Sequence, residues 1–404
     1  MAPAGNFECL QAAIQGGANS VYFGVGNLNM RSRSANNFAA EDLAEVVRIC
    51  RQAGVKTYLT LNICLYPEDI DEMKHTLDLA KEAGVTAVIA SDIAAIQACR
   101  EREIEVHIST QLSISNVESV KFYAQFADVV VLARELNLGQ VKQITDAIER
   151  EQIKGPSGEL VRVEMFAHGA LCMAISGKCY LSLHTYGASA NRGACMQICR
   201  RGYGVTDLET GSELNIDNKY IMSPKDLCTI EFMDKMVEAG VKVFKIEGRA
   251  RSAEYVRRCA ECYRRAADAV CDGEFTPELA SALKARLAEV FNRGFWDGYY
   301  QGAFLGEWSN VYGSQATRRK VYLGKVTNWF DRIGVAEITV ETTNLRSGET
   351  LMIIGRTTGV EEFTAEDIRL EFEPVAEVPK GSRCSVAVPH KVHRGDKVYK
   401  WEEV

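Results

Sequence analysis

The stretch AGVKTYLTLNICLYPEDIDEMKHTLDLAKEAGVTAVIAS, residues 53–91, holds one complete unit of the pattern on which the chain is built. Residues 56–63 form a short β-branched and aromatic run, residues 67–83 have the periodicity of an amphipathic helix, and residues 87–91 form a second apolar run. An Ala-Gly-Val step precedes the unit at 53–55 and closes its helix at 83–85, and the same step returns at 239–241. Each reads as a helix stopped by a glycine and followed by a strand. Together they spell the βαβ unit of a parallel sheet.

Working outward, further strands are expected at 20–25, 106–110, 129–133, 162–167 and 241–246, with helices at 40–52 and 116–126 among those between them. Counting residues 1–4 as the stub of a first strand gives eight, the number that closes a (β/α)8 barrel. An open doubly wound sheet is the competing arrangement. The barrel is favoured because polar residues follow the strands: Asn62, Asp92, Gln111, Arg134 with Glu135, His168, and Glu247 with Arg249. In a barrel these ends converge on the C-terminal face, where active sites of this architecture sit. About 70 residues separate the seventh and eighth strands, far more than a connecting loop needs. From residue 318 the pattern changes to short strands broken by glycine turns. The expectation is an α/β fold: a TIM-like (β/α)8 barrel domain over 1–315 with a cysteine-bearing insertion at about 170–240, and a small all-β barrel domain over 318–404.

The chain has 404 residues, 47% of them hydrophobic, which suffices for one large core and a smaller second one. Its start, MAPAGNFECLQAAIQGG, carries neither a basic region nor an apolar one, and no stretch approaches the roughly 20 apolar residues of a membrane span. A cytoplasmic location is expected. The net charge of −7 argues against a whole surface that attracts nucleic acid. RNA contact would be local, at Arg200 and Arg201, at the run Arg249, Arg251, Arg257, Arg258, Arg264 and Arg265, or at Arg318, Arg319 and Lys320. Such runs are commonly solvated helix faces or salt-bridge partners.

Thirteen cysteines cannot all pair, and in the absence of a secretory signal they read as thiols. Cys9, Cys50, Cys64, Cys99, Cys271 and Cys384 stand singly among apolar neighbours as core filler, and Cys259 with Cys262 fall in an amphipathic helix. Cys172, Cys179, Cys195 and Cys199 are different, spaced C-x6-C-x15-C-x3-C among glycines. The first interval is too open for a standard zinc knuckle and suits an iron-sulfur cluster, with zinc and apolar packing as alternatives. Cys228 competes with Cys199 for a fourth position. The carboxylates Glu135, Glu247 and Asp92 with Arg134 and Arg249 form either catalytic groups or a structural ion-pair ring. No HExxH, GxSxG or GxxxxGK[ST] motif is present, and GVGNLN lacks the third glycine of a dinucleotide fingerprint.

Several stretches taken together resemble the collagenase-like peptidases of the U-32 group: MAPAGNFECLQAAIQGGANSVYFG, ISTQLSISN, VVLARE, MFAHGALCMAISGKCYLS, NRGACMQICR, SPKDLC, FKIEGRARSAEYV and NRGFWDGYY. The resemblance implies that the peptidase name is misleading. Similar proteins act in oxygen-independent hydroxylation with prephenate as hydroxyl donor, some forming 5-hydroxyuridine at the tRNA wobble position, others modifying a ribosomal RNA cytidine or serving ubiquinone synthesis. It implies a 4Fe-4S cluster on Cys172, Cys179 and Cys195, with Cys199 or Cys228 fourth. In this reading Arg134 or Arg249 binds a donor carboxylate, with Asn62, Asp92, Gln111, Asn191 and Arg192 as further substrate-binding candidates. His168, Glu135 and Glu247 are the candidates for proton transfer. The substrate partner is tRNA. A metal-assisted peptidase, and a non-catalytic RNA-binding or assembly factor with a structural cluster, are the alternatives.

Overall fold

The computed structural model describes residues 1–33, 37–204, 206–211 and 220–404. Seven strands run parallel in chain order: β1 (Ala2–Pro3), β2 (Ser20–Phe23), β3 (Lys56–Leu61), β4 (Ala87–Ala90), β5 (Glu105–Ile108), β6 (Val129–Val131) and β7 (Arg162–Ala170). After β8 (Asp226–Cys228), β9 (Val243–Ile246) pairs in parallel with β7, and the Ile246 N–H donates to the Met1 carbonyl at 3.0 Å beside β1. Strands β2 and β4 are buried along their whole length, as a sheet covered on both faces requires.

Helices α1 (Phe7–Gln15), α2 (Leu43–Gln52), α3 (Ile70–Ala83), α4 (Ile93–Glu101), α5 (Val117–Ala124) and α6 (Leu138–Arg150) connect the first seven strands. Local chemistry sets their ends. Asn6 accepts from the Cys9 N–H at 2.8 Å to start α1, Asp92 accepts from the Ala94 N–H at 2.9 Å to start α4, and Gly84 ends α3 in the left-handed region. Between β7 and β9 the chain forms α7 (Leu181–Tyr186), β8 and α8 (Met233–Glu238). Then α9 (Ala253–Asp272) and α10 (Pro277–Ala288) lead to the short β10 (Phe295–Trp296), which pairs with β8.

One expectation is corrected here. Strand β7 runs on to Ala170, because β8 pairs antiparallel with its end, His168 opposite Cys228. His168 therefore lies inside a strand, not beyond one. Gly169, at φ +106°, permits this, since a Cβ there would sit 2.4 Å from the Glu247 carbonyl.

From Arg318 onward the strands are antiparallel, in an eight-stranded and a two-stranded sheet with their own apolar core around Leu323, Ile338, Leu351 and Val398. The arginine run of α9 faces this region. Arg257 donates to the Val360 carbonyl, Arg258 pairs with Glu289 at 3.0 Å and Glu362 at 3.1 Å, and Lys320 pairs with Glu254 at 2.9 Å. Arg319 pairs with Glu402 and Arg264 with Asp268. Of the basic residues read from sequence as possible RNA contacts, Arg258, Arg264, Arg318, Arg319 and Lys320 are thus spent on carboxylates. Cys259 and Cys262 are buried on the core side of α9.

Candidate functional site

The C-terminal ends of the parallel strands and the segment after β7 enclose a cavity of about 200 Å³. Tyr22 comes to its wall from β2, Thr60 and Asn62 from the end of β3, Gln111 from beyond β5, and Arg134 from beyond β6. Lys245 of β9, with Glu247, Arg249 and Arg251 after it, supplies one side. Cys172, Cys179, Cys195 and Cys199 line the other. The segment that carries them is seated closely: Gly193, at φ +78°, leaves no room for a Cβ, which would lie 2.3 Å from the Asn29 carbonyl.

Burial raises the Cys199 thiol, Arg200 draws it down, and Cys172, Cys195 and Cys179 raise it further. Cys172, Cys179 and Cys195 are each within electrostatic reach of Cys199, and all four line one cavity. Thiolates are the donor type that soft metals and iron-sulfur clusters take. Among the described residues, no three His, Cys, Asp or Glu side chains are gathered as around a single metal ion. Cys228 lies elsewhere: it is buried at β8, 3.8 Å from the Tyr263 hydroxyl, and burial pushes its thiol up to about 11.

The cationic side of the cavity is only partly balanced. Arg31 donates to Glu247 at 2.5 and 3.1 Å, Lys245 to Glu164 at 2.8 Å, and Arg293 to Asp226 at 3.3 Å. Arg134, Arg200, Arg249 and Arg251 have no carboxylate partner among the described residues. Arg134 donates to the Ser176 hydroxyl and lies 5.0 Å over the Phe166 ring. Arg200 donates to the carbonyls of Leu171 and Pro224, each at 2.6 Å. Arg249 is 4% exposed, donates to Asn29 and Thr60 at 2.9 Å, and keeps a buried Nε without a partner. Burial pulls the Arg249 guanidinium down to about 10, against the favourable pull of Tyr22 and Glu247. It remains charged at neutral pH. Burial also pushes the Glu247 carboxyl up, but Arg31 and Arg249 outweigh it and hold it down at about 2.

The cavity gathers Asn62, Gln111, Arg134, Glu247 and Arg249 from the residues read in the sequence, and Asn62 donates to Ser109 at 3.2 Å and Gln111 at 3.4 Å. It does not gather the others. His168 is sealed among Tyr255, Tyr263 and Phe295, and burial with Arg251 lowers it to about 3. Asp92 caps α4 and accepts from the Leu65 N–H at 3.0 Å. Asn191 and Arg192 anchor the cysteine segment: the Cys64 N–H donates to the Asn191 carbonyl at 3.1 Å, while Arg192 pairs with Asp69 and lies 3.9 Å over the Tyr66 ring. Glu135 is exposed and lines an adjoining groove.

Arg31, Tyr22 and Lys245 were not found from the sequence. Lys245 had a usable signal, a lysine inside an apolar strand run, since a buried cation calls for a partner. Arg31 lies in the loop after β2, away from any strand end, and its only signal is membership of that loop.

The sequence pattern of peptidase family U32 matches residues 5–310. A protein from Porphyromonas gingivalis named Collagenase is 56% identical over 403 residues, covering 100% of this chain and 97% of its own. The tRNA hydroxylation protein P1 of Bacillus subtilis is 33% identical, covering 81% of this chain and 77% of its own. A 23S rRNA 5-hydroxycytidine synthase of Escherichia coli is 34% identical, covering 76% of this chain and 46% of its own. No described helix is long and apolar enough to cross a membrane. With the motifs, the cysteine-lined cavity and a match over three quarters of its length, the chain belongs to peptidase family U32.

Proposed function

We propose that this protein is an iron-sulfur enzyme that hydroxylates RNA without molecular oxygen, forming 5-hydroxyuridine at the tRNA wobble position with prephenate as hydroxyl donor. The observation that carries the reading is the juxtaposition of four thiols and four guanidiniums without carboxylate partners around one cavity. Cys172, Cys179, Cys195 and Cys199 would hold a 4Fe-4S cluster, which when bound supplies an electron-accepting centre. The parallel sheet, with β9 hydrogen-bonded to β1, is read as the closed (β/α)8 barrel that presents this face. The relatives named for tRNA and rRNA hydroxylation support the RNA substrate.

The chain's own residues then have definite work. Arg249, buried and with a free Nε, and Arg134 bind the donor's carboxylate through charge-assisted hydrogen bonds. Glu247, ionised and clamped by Arg31, fixes that guanidinium and the Tyr22 hydroxyl in place. His168 and Glu135 lie off this wall and Glu247 stays ionised, so proton donation falls to Lys245 and Tyr22. Phe166, Met30, Leu181 and Ile198 keep water from the reacting groups.

The 56% identical relative named Collagenase favours a second reading, a metal-assisted peptidase. No histidine lines the cavity among the described residues. The two readings separate in one experiment: mass analysis of tRNA nucleosides from cells lacking the gene, complemented with wild type, Arg134→Met or Arg249→Met, alongside collagen cleavage by the purified chain. Loss of the hydroxylated nucleoside, restored by wild type alone, supports the proposal. Unchanged nucleosides with cleavage of collagen reject it.

A further inference from the structure

Glu135 and Arg134 are neighbours in sequence, yet Arg134 reaches the cavity and Glu135 does not. Glu135 lines a separate groove with Trp296, Tyr299 and Trp308. Arg134 and residues 171–174, Cys172 among them, line both spaces, so the groove and the cavity share a thin wall. The groove is firmly built. The Tyr300 hydroxyl donates to the Phe166 carbonyl at 2.9 Å, the Leu138 N–H donates to the Tyr300 carbonyl at 2.9 Å, and Trp308 pairs with Pro224 in an antiparallel bridge. Trp296 meets Tyr299 edge-on at 5.1 Å.

Three features describe the occupant. Trp308 is 37% exposed, and Phe304 and Leu305 on the same loop are almost fully exposed, an apolar rim of the kind that marks a contact site. Glu135 makes no hydrogen bond or ion pair among the described residues, so both of its oxygens are available as acceptors. The groove encloses about 60 Å³, room for the edge of one planar ring and not for a whole nucleotide. A carboxylate repels phosphate but pairs with two adjacent N–H donors. Among the RNA bases that is the Watson–Crick edge of guanine, since uracil flanks its one N–H with carbonyl oxygens, and cytosine and adenine set an acceptor ring nitrogen beside the amino group. Single-stranded RNA is read through such edges, with the base stacked on an aromatic ring.

We propose that this groove is a second nucleobase subsite, selective for guanine, in which the base stacks on Trp308 and Glu135 accepts its N1–H and N2–H while the neighbouring nucleotide enters the cavity. The inference rests on the reading of RNA as substrate. The experiment is fluorescence anisotropy with the full chain and labelled single-stranded RNA heptamers, in which one uridine is flanked by guanines or by adenines. The guanine oligomer should bind about tenfold more tightly, as one good bidentate base contact gives. Glu135→Gln should erase that preference and leave the adenine oligomer unchanged, and Trp308→Ala should weaken the guanine oligomer by about tenfold. Equal affinities in wild type, or a preference that survives Glu135→Gln, overturn the subsite and leave the RNA reading standing. Failure of every oligomer to bind rejects the RNA reading and the subsite with it. Binding of a proline-rich peptide that Trp308→Ala abolishes, with no guanine preference, gives the groove to a peptide and overturns the proposal.

Discussion

Two sets of arginines on adjoining stretches of one chain are used in opposite ways. Arg249 and Arg251, just after β9, face the cavity with Arg134 and Arg200, and none of the four meets a carboxylate among the described residues. Arg257 and Arg258, a few residues on in α9, hold the Val360 carbonyl, Glu289 and Glu362 and stitch the parallel-sheet region to the C-terminal sheets. Matched charge at the second place holds the fold together. At the first, buried charge without a direct carboxylate contact, as at Arg249, opposes folding and is relieved when an anion arrives.

The sharpest way to break this contrast is to remove one member of each set without changing bulk. Arg249→Met should lower RNA hydroxylation by about 10³-fold, equivalent to about 4 kcal/mol of transition-state stabilisation, while leaving the melting temperature unchanged or slightly raised. A fall in both activity and stability would make Arg249 a structural residue. Arg258→Met should do the reverse. Its loss leaves Glu289 and Glu362 only the longer contacts to Arg318, 3.7 Å each, which should cost about 2 kcal/mol of unfolding free energy with hydroxylation kept at low temperature. Denaturant titration measures the first effect and nucleoside mass analysis the second.

A smaller effect belongs to His168. The unfolded chain binds a proton at the ordinary histidine value of 6.5, whereas burial lowers the folded value to about 3. The unfolded state thus binds more protons below pH 6.5, so this group makes stability fall with pH through that window until about pH 3. At pH 5 the loss is about 2 kcal/mol. His168→Gln should flatten the pH dependence of stability by that amount, and an unaltered profile would contradict the sealed, neutral histidine. Smallest is Cys228→Ser, a hydroxyl placed where a thiol packs, expected to cost about 1 kcal/mol in stability with no change in bound iron.

Much of the fold was legible because its signals are local. The Ala-Gly-Val steps mark helix ends and strand starts, and the buried strands read as continuous apolar runs. The site was legible less evenly. Asn62, Gln111, Arg134, Glu247 and Arg249 follow from the rule that strand ends share a face. His168 did not, because pairing of β8 with β7 lengthened the strand, and such pairing depends on residues some sixty positions away. Glu135 was misplaced because adjacent residues leaving a strand point to different sides. The choice between Cys199 and Cys228 had no local signal at all. Spacing alone does not say which of two cysteines folds back to the other three. Sequence left the arginines of α9 open between RNA contact, a solvated face and salt-bridge partners, because the carboxylates that Arg258 meets, Glu289 and Glu362, lie in other elements.

The central claim is that Cys172, Cys179, Cys195 and Cys199 hold one iron-sulfur cluster at the mouth of the parallel sheet. Iron and acid-labile sulfide, quantified per chain in protein purified without oxygen, test it most directly in wild type, Cys199→Ser and Cys228→Ser. About four irons and four sulfides are expected in wild type and in Cys228→Ser, with most of both lost from Cys199→Ser. Zinc without sulfide in the wild type, or a cluster that survives Cys199→Ser and disappears with Cys228→Ser, would contradict the account.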